Sequence, residues 1–220
     1  MTTIADLTRF GPRPPRLLPP LFSQFARPSG LLGRLAGRIM AKSDADDRWV
    51  TELLDVQSGD RVLDVGCGPG VTVGLIAERA TDGMVSGVDP SVTMLRQAAT
   101  RNRAAIQSGR VELRRGDAAG LPYPEGSFTK ACAMHSVYFW PSMEDGLREI
   151  ARVLLPAGIA ILAVRMRNDE AGIFEPTRYG HSDARVDALV DALRQPGLRD
   201  VTVQRQEIGR ESITAVSARR

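Results

Sequence analysis

Glycines at 66, 68 and 70 alternate with Cys67 and Pro69 immediately after the apolar run Val62 to Val65, which one acid, Asp64, interrupts. Without Cβ atoms, glycines turn a chain tightly and let a ligand touch the backbone. Val73, Leu75, Ile76 and Ala77 then read as the start of a helix, whose unpaired N–H groups favour an anionic ligand group. The spacing is G-x-G-x-G, with Val71 where a dinucleotide fingerprint has its third glycine, so the strict G-x-G-x-x-G pattern fails. On its own the turn suits any nucleotide-like ligand. Asp89 narrows the field, because it lies about 20 residues further on, where an acid ending a strand accepts bonds from both ribose hydroxyls. Asp117 ends a later strand and is suited to an adenine amino group, with Ala118 leaving room for the ring. A helix cap and an ordinary turn are the bland alternatives for these two acids.

The elements that position these residues follow from pattern. Strands are expected at Val62 to Val65, Met84 to Val88, Val111 to Arg114, Phe128 to Met134 and Ile159 to Val164, the last entered through a turn at Pro156-Ala157-Gly158. Helices fall between them, one capped by Ser91 and running to about Asn102, another over Met143 to Leu155. Such alternation indicates βαβ units and right-handed crossovers. A helix near Ser182 to Arg194 and strands at Val201 to Glu207 and Ile213 to Ser217 complete the chain, the last two as an antiparallel hairpin at the sheet edge. The expected fold class is therefore α/β, a doubly wound, mostly parallel seven-stranded sheet.

Ahead of this sheet, clustered prolines with Phe10, Phe22 and Phe25 make residues 1–28 an arm, either a loose tail or a flap over a pocket. Leu31, Leu32, Leu35, Ile39 and Met40 then recur at helical spacing, and Ser43 and Asp44 offer cap chemistry for a second helix through Trp49, Leu53 and Leu54. Residues 1–48 are taken as an N-terminal helical arm covering the pocket, and residues 49–220 as the ligand-binding domain.

A chain of 220 residues with 43% hydrophobic residues buries one good core. The net charge of +3 is spread over arginines scattered among acids, which suits a solvated face better than a nucleic-acid surface. Cys67 and Cys132, the only cysteines, sit in apolar segments and read as buried free thiols of a cytoplasmic protein. No segment reaches the roughly 18 apolar residues a membrane span needs. No metal site is expected.

Taken together and in order, VLDVGCGPG, VDPS, GDAAGLPYPEGSF and MHSVYFWPSMEDGLREIARVLLPAG resemble class I S-adenosylmethionine-dependent methyltransferases of the methyltransferase-11 or ubiquinone-biosynthesis-like group. The likeness covers roughly residues 50 to 165. ARPSGLLGRLAGRIM also looks like a bacterial subgroup whose substrates are mostly unassigned. The resemblance implies a Rossmann-like methyltransferase fold and S-adenosyl-L-methionine as cofactor, leaving S-adenosyl-L-homocysteine as product. It implies that Gly66, Cys67, Gly68 and Gly70 hold the methionine end, organised by Asp64. Asp89 would bind ribose, Pro90 and Met94 would lie near adenine or ribose, Asp117 and Ala118 would meet the adenine, and His135 to Tyr138 would line the reactive end. Two positions depart from the pattern: Thr129 replaces a common Asp, and His135 stands where the subgroup often has Asn.

A sulfonium methyl is already electrophilic, so catalysis needs orientation and, where the acceptor sheds a proton, a base. His135 and His181 are the only histidines, and imidazole titrates near neutrality. Either can serve as that base, with Tyr138 and Tyr179 behind them. Phe22, Phe25, Tyr138, Trp140 and Phe174 suggest an aromatic pocket for a flat or hydrophobic acceptor. The expected partner is a small-molecule acceptor, with no nucleic acid or membrane, for a monomer or homodimer. The alternatives are a nucleoside-binding regulator without transfer, a nicotinamide oxidoreductase disfavoured by Val71, and a nucleic-acid methyltransferase, for which the Asn-Pro-Pro-Tyr or Asp-Pro-Pro-Tyr signature is absent.

Overall fold

A computed structural model describes Leu35, Gly37 and residues 44–166 and 180–220. Strand β1 (Arg61–Val65) is followed by α2 (Val71–Arg79), β2 (Met84–Asp89), α3 (Val92–Arg101), the short α4 (Arg103–Gln107) and β3 (Val111–Arg115). Then come β4 (Phe128–Met134), a 3₁₀ turn (Val137–Phe139), α5 (Met143–Val153), β5 (Leu154–Arg165), α6 (Asp183–Arg194), β6 (Arg199–Ile208) and β7 (Glu211–Arg219). Helix α1 (Ala45–Leu53) precedes them all.

The strands form one sheet in the order β3-β2-β1-β4-β5-β7-β6, parallel from β3 to β5, with β7 antiparallel between β5 and the edge strand β6. The seven strands, the parallel core and the edge hairpin agree with the sequence reading. From β1 the chain first winds outward through β2 and β3, then returns to lay β4 on the other side of β1. That reversal opens a crevice at the carboxyl ends of β1 and β4, where sheets of this kind bind ligands.

Near-continuous apolar runs place β1 and β2 in the interior. After an exposed first residue every position of both is buried, as expected of strands covered on both faces. Alternate residues feed two cores. Leu63 and Val65 join Leu147, Ile150, Leu189 and Leu193 beneath α5 and α6, while Val62 joins Val50, Leu54, Val73 and Ile76 beneath α1 and α2. Among the described residues no helix is long and apolar enough to cross a membrane.

Three local differences have physical causes. Strand β5 begins at Leu154, ahead of Pro156-Ala157-Gly158, because Leu154 already pairs with Phe128 before Ile159 pairs with Lys130. The expected turn is thus a bulge within the strand, with Ala157 at a φ of 65°. Helix α1 runs unbroken across the expected boundary at 48/49, because Val50 and Leu54, one turn apart, are both fully buried. Asp44 stands at its N-cap without capping, since its carboxylate takes the Arg48 guanidinium at 2.7 Å instead. The expected helix over Gly30 to Met40 falls mostly outside the described residues.

Leu63→Ala removes a side chain with no exposure at the heart of β1, and is expected to cost about 2–5 kcal/mol. Val203→Ala on the exposed strand β6 is expected to stay within about 0.5 kcal/mol. Urea midpoints at unchanged m-value check both.

Candidate active site

The glycine turn hangs from the end of β2. Gly66 and Cys67 both donate their N–H groups to the Val88 carbonyl, at 2.7 and 3.0 Å. Each glycine answers a different need. Gly66 has a φ of 79°, and the Ser136 side chain lies where its Cβ would be, so the end of β4 packs directly on the turn. Ser136 Oγ completes that contact by donating to the Val65 carbonyl at 2.6 Å. Gly70, with a φ of 77°, starts α2, and a Cβ there would come within 2.7 Å of both Ala98 Cβ and Asn102 Nδ2. Asn102 also donates to the Gly70 carbonyl at 2.9 Å, tying the turn to the end of α3. Gly68, at a φ of 50°, faces open space, with no atom of the described residues within 4 Å of a Cβ built on it. Of the three, it is the one shaped for something outside the chain.

Acids surround that opening. Asp89 accepts from Gly68 N at 2.9 Å through Oδ2 and from Ser91 N at 2.8 Å through Oδ1, which leaves further lone pairs on both oxygens. Burial raises its pKa against those two backbone bonds. Asp64, almost wholly buried, points to the α1 face of the sheet beside Cys132, and no nitrogen or oxygen donor among the described residues reaches either carboxyl oxygen. Burial, then the charges of Asp47 and Asp89, pushes its pKa up to about 8. Asp47 on α1 takes a bond from Thr72 Oγ1 on α2, and burial raises its pKa too. A pocket with an orphaned buried carboxyl, two more burdened acids and an open glycine face suits a ligand with cationic groups.

A methyltransferase-domain family model matches residues 62–158, the span holding the turn, Asp89 and the end of β4. An uncharacterised methyltransferase, YdaC of Bacillus subtilis, is 26% identical over 84% of this chain and 98% of its own length. The fold of a SAM-dependent methyltransferase from Aquifex aeolicus superposes with a TM-score of 0.70 at 19% identity, covering 84% of this chain and 97% of that one. Residues 62–158 are a methyltransferase domain, set on the fold of S-adenosylmethionine-dependent methyltransferases. The chain is also 38% identical to the 27-O-demethylrifamycin SV methyltransferase of Amycolatopsis mediterranei, over 48% of this chain and 39% of that protein. The methyltransferase therefore spans well under half of that relative.

The rest of the methyltransferase's expected site divides into two groups. The crevice collects Asp64, the glycine turn, Asp89 and His135, which follows β4 with a φ of 49° and whose Nε2 lies 3.0 Å from Asp46 Oδ2. Ala118 is buried in the core beneath α5, whereas Asp117 is exposed and its Oδ1 takes Ala119 N at 2.9 Å, the turn role weighed for it. Pro90 is exposed; Met94 is buried, its methyl 2.8 Å from a Cβ built at Gly37.

Two of the expected bases are placed otherwise. Tyr138 is buried and its hydroxyl is held by the Arg165 backbone, accepting from N at 2.5 Å and donating to O at 3.2 Å. Burial drives its pKa up, so it acts as a clamp on the end of β5 and not as a base. His181 has no exposure, packs edge-on against Tyr138 with centroids 4.5 Å apart, and bridges to Met166. Burial, then the charges of Arg185 and His135, lowers its pKa to about 4, which leaves it a poor proton acceptor at neutral pH. Trp140 packs against the core. Tyr179, Phe22, Phe25 and Phe174 lie outside the described residues.

Sequence reasoning missed Asp46, Asp47, Asn102 and Arg165, and named Ser136 only within the run from His135 to Tyr138. Paired aspartates in a helix's first turn read as dipole complements, and nothing local marks the faces on which they meet the sheet. Asn102 carried one signal, a small amide ending a helix.

Asp64 makes the ligand-free enzyme pH-sensitive. With a folded pKa of about 8 against about 3.9 unfolded, the unfolded chain sheds a proton that the folded one keeps. Stability therefore falls as pH rises between these values. Asp64→Asn is expected to be more stable than the parent at pH 8, with the gap closing towards pH 4. Urea unfolding of both proteins across that range checks it, and parallel curves would contradict it.

Proposed function

We propose that the enzyme transfers a methyl group from S-adenosylmethionine to a nucleophilic nitrogen, oxygen or carbon of a small, aromatic or hydrophobic metabolite. The observation that carries the donor half is the orphaned Asp64 carboxyl, on the strand that leads into the turn with the open Gly68. S-Adenosylmethionine supplies an electrophilic methyl on a positively charged sulfur. Asp64 and Asp47 hold its cationic amino end, the N–H groups at the start of α2 its carboxylate, and Asp89 its ribose. The adenine rests by Asp117 and Ala118. The chain's remaining task is to align an acceptor and exclude water, and orientation of that kind supplies about 7–11 kcal/mol of barrier lowering.

A small acceptor is supported by the crevice at the ends of β1 and β4, across which His135 reaches Asp46 on α1. The Amycolatopsis relative, named for an O-demethylated substrate, supports oxygen as one acceptor atom.

Calorimetry with S-adenosylhomocysteine tests the donor half. Gly68→Ala is expected to cost the fold only about 1–2 kcal/mol for its left-handed backbone, yet to weaken binding more than tenfold by filling the open face. Asp64→Asn removes a charge-assisted bond worth about 1.5–3 kcal/mol, roughly a ten- to hundredfold loss of affinity. Unchanged affinity in both variants would remove the turn from the cofactor site. Mass-spectrometric screening of metabolites for a gain of one methyl tests the acceptor half.

A further inference from the structure

His135 is held by a chain of charges that cofactor binding does not require. Its N–H donates to the Ala163 carbonyl at 2.9 Å, and its left-handed backbone carries the imidazole across the crevice to α1. There Asp46 Oδ2 meets both His135 Nε2, at 3.0 Å, and Arg165 Nη2, at 3.3 Å. Arg165 Nε in turn lies 2.5 Å from Glu211 Oε2. Side chains from α1, β5 and β7 thus converge to fix one ring.

The chemistry of the pair settles its tautomer. Burial alone would raise the pKa of Asp46, but the bond from His135 and the charges of His135 and Arg165 outweigh it and hold the group ionised. A carboxylate only accepts, so Nε2 carries a proton, and in the neutral ring it is the only one. Nδ1 is then a bare lone pair, buried and without a partner among the described residues. The His135 backbone stands beside the donor site, because the next residue, Ser136, fills the space against Gly66. The other charged or titratable groups around the ring are Asp47 on α1, Arg165 on β5 and His181 ahead of α6.

A ring oriented through one nitrogen by a carboxylate, with the other nitrogen bare, is the arrangement of a general base. We propose that Asp46 is a positioning residue that locks His135 as the Nε2–H tautomer and leaves Nδ1 as the base for a hydroxyl or comparable X–H acceptor. This rests on the small-molecule methylation reading above. In the step, the acceptor's proton passes to Nδ1, and the acceptor's freed electron pair forms the bond to the methyl carbon. The carbon–sulfur bond breaks with its electron pair left on sulfur. The positive charge moves from sulfur to the imidazole, where Asp46 faces it.

With two histidines in the chain, long-range ¹⁵N–¹H spectra of the full-length protein contain two ring patterns, and His135→Gln identifies the one that disappears. The His135 ring is expected as a single Nε2–H tautomer with a slowly exchanging proton, with or without S-adenosylhomocysteine. Asp46→Ala should give a tautomer mixture with fast exchange, and Asp46→Glu should restore the single form. A strut that merely pins α1 to the sheet would leave the Asp46→Ala tautomer unchanged, and that result overturns the proposal. So does an Nδ1–H ring in the parent protein, which needs no variant to fold. In the metabolite screen, the methyl should arrive at an atom that bore a proton, and His135→Gln should lower kcat about 10²- to 10⁴-fold. A product methylated at a thioether or tertiary amine overturns the acceptor class. The tautomer is read without any acceptor, so failure of the methylation reading is separately visible as an intact Nε2–H signal with no methylated product.

Discussion

A carboxyl buried at Asp64 with no nitrogen or oxygen donor is costly to the ligand-free fold, and much of the surrounding structure is the frame that holds it there. It sits on β1, a strand with parallel neighbours on both sides, so it has no room to swing towards water. Val62 below it and Cys132 beside it are apolar or only weakly polar, and the nearest charges, Asp47 and Asp89, are of the same sign. A local stability loss of this sort is tolerable only in a well-packed sheet centre. Fully buried Val62, Leu63 and Val65 contribute about 1.5–3 kcal/mol each, so the same five-residue strand carries both the strain and much of what offsets it.

The glycine turn extends that constraint outward. Two of its contacts with the protein, Gly66 against Ser136 and Gly70 against Ala98 and Asn102, are too close for any side chain, while Gly68 between them meets none of the described residues. Backbone bonds to the Val88 carbonyl and the Asp89 carboxylate fix the turn to the end of β2. Asp89 thus shapes the turn while keeping further lone pairs on both oxygens. An acid at that strand end is placed by the turn's own hydrogen bonding before any ligand arrives.

How much of this was legible in the sequence depends on the range of the interaction that decides it. Buried parallel strands such as Val62 to Val65 announce themselves as apolar runs, and the Ser91 cap and Gly70 as local punctuation, because the deciding contacts are a few residues apart. Pro156-Ala157-Gly158 has the composition of a turn, yet pairing with β4, 26 residues earlier in the case of Phe128 and Leu154, draws it into a bulged strand. His181 and Tyr138 were candidates by type and location; their burial against each other and the end of β5 is tertiary, and it is burial that removes their basicity. Asp46 lies 89 residues from His135 and 119 from Arg165. No window of sequence contains that triad.

The two halves of the site also differ in where they lie along the chain. Asp64, the glycine turn, Asp89 and Asp117 all fall within the span matched by the methyltransferase domain, residues 62–158. Asp46, Arg165 and Glu211 all fall outside it, one before and two after. His135 is the seam: its backbone belongs to the matched span, at the end of β4 against the donor turn, while its ring is held by residues beyond that span. Donor chemistry is the same whatever is methylated, so a common framework at the ends of β1 and β2 can supply it. Acceptor chemistry differs from one substrate to another, and here it is set by charges brought in from α1, β5 and β7. A base built at the seam, with its tautomer dictated from the chain-specific side, joins the two halves at the atom where the proton must leave.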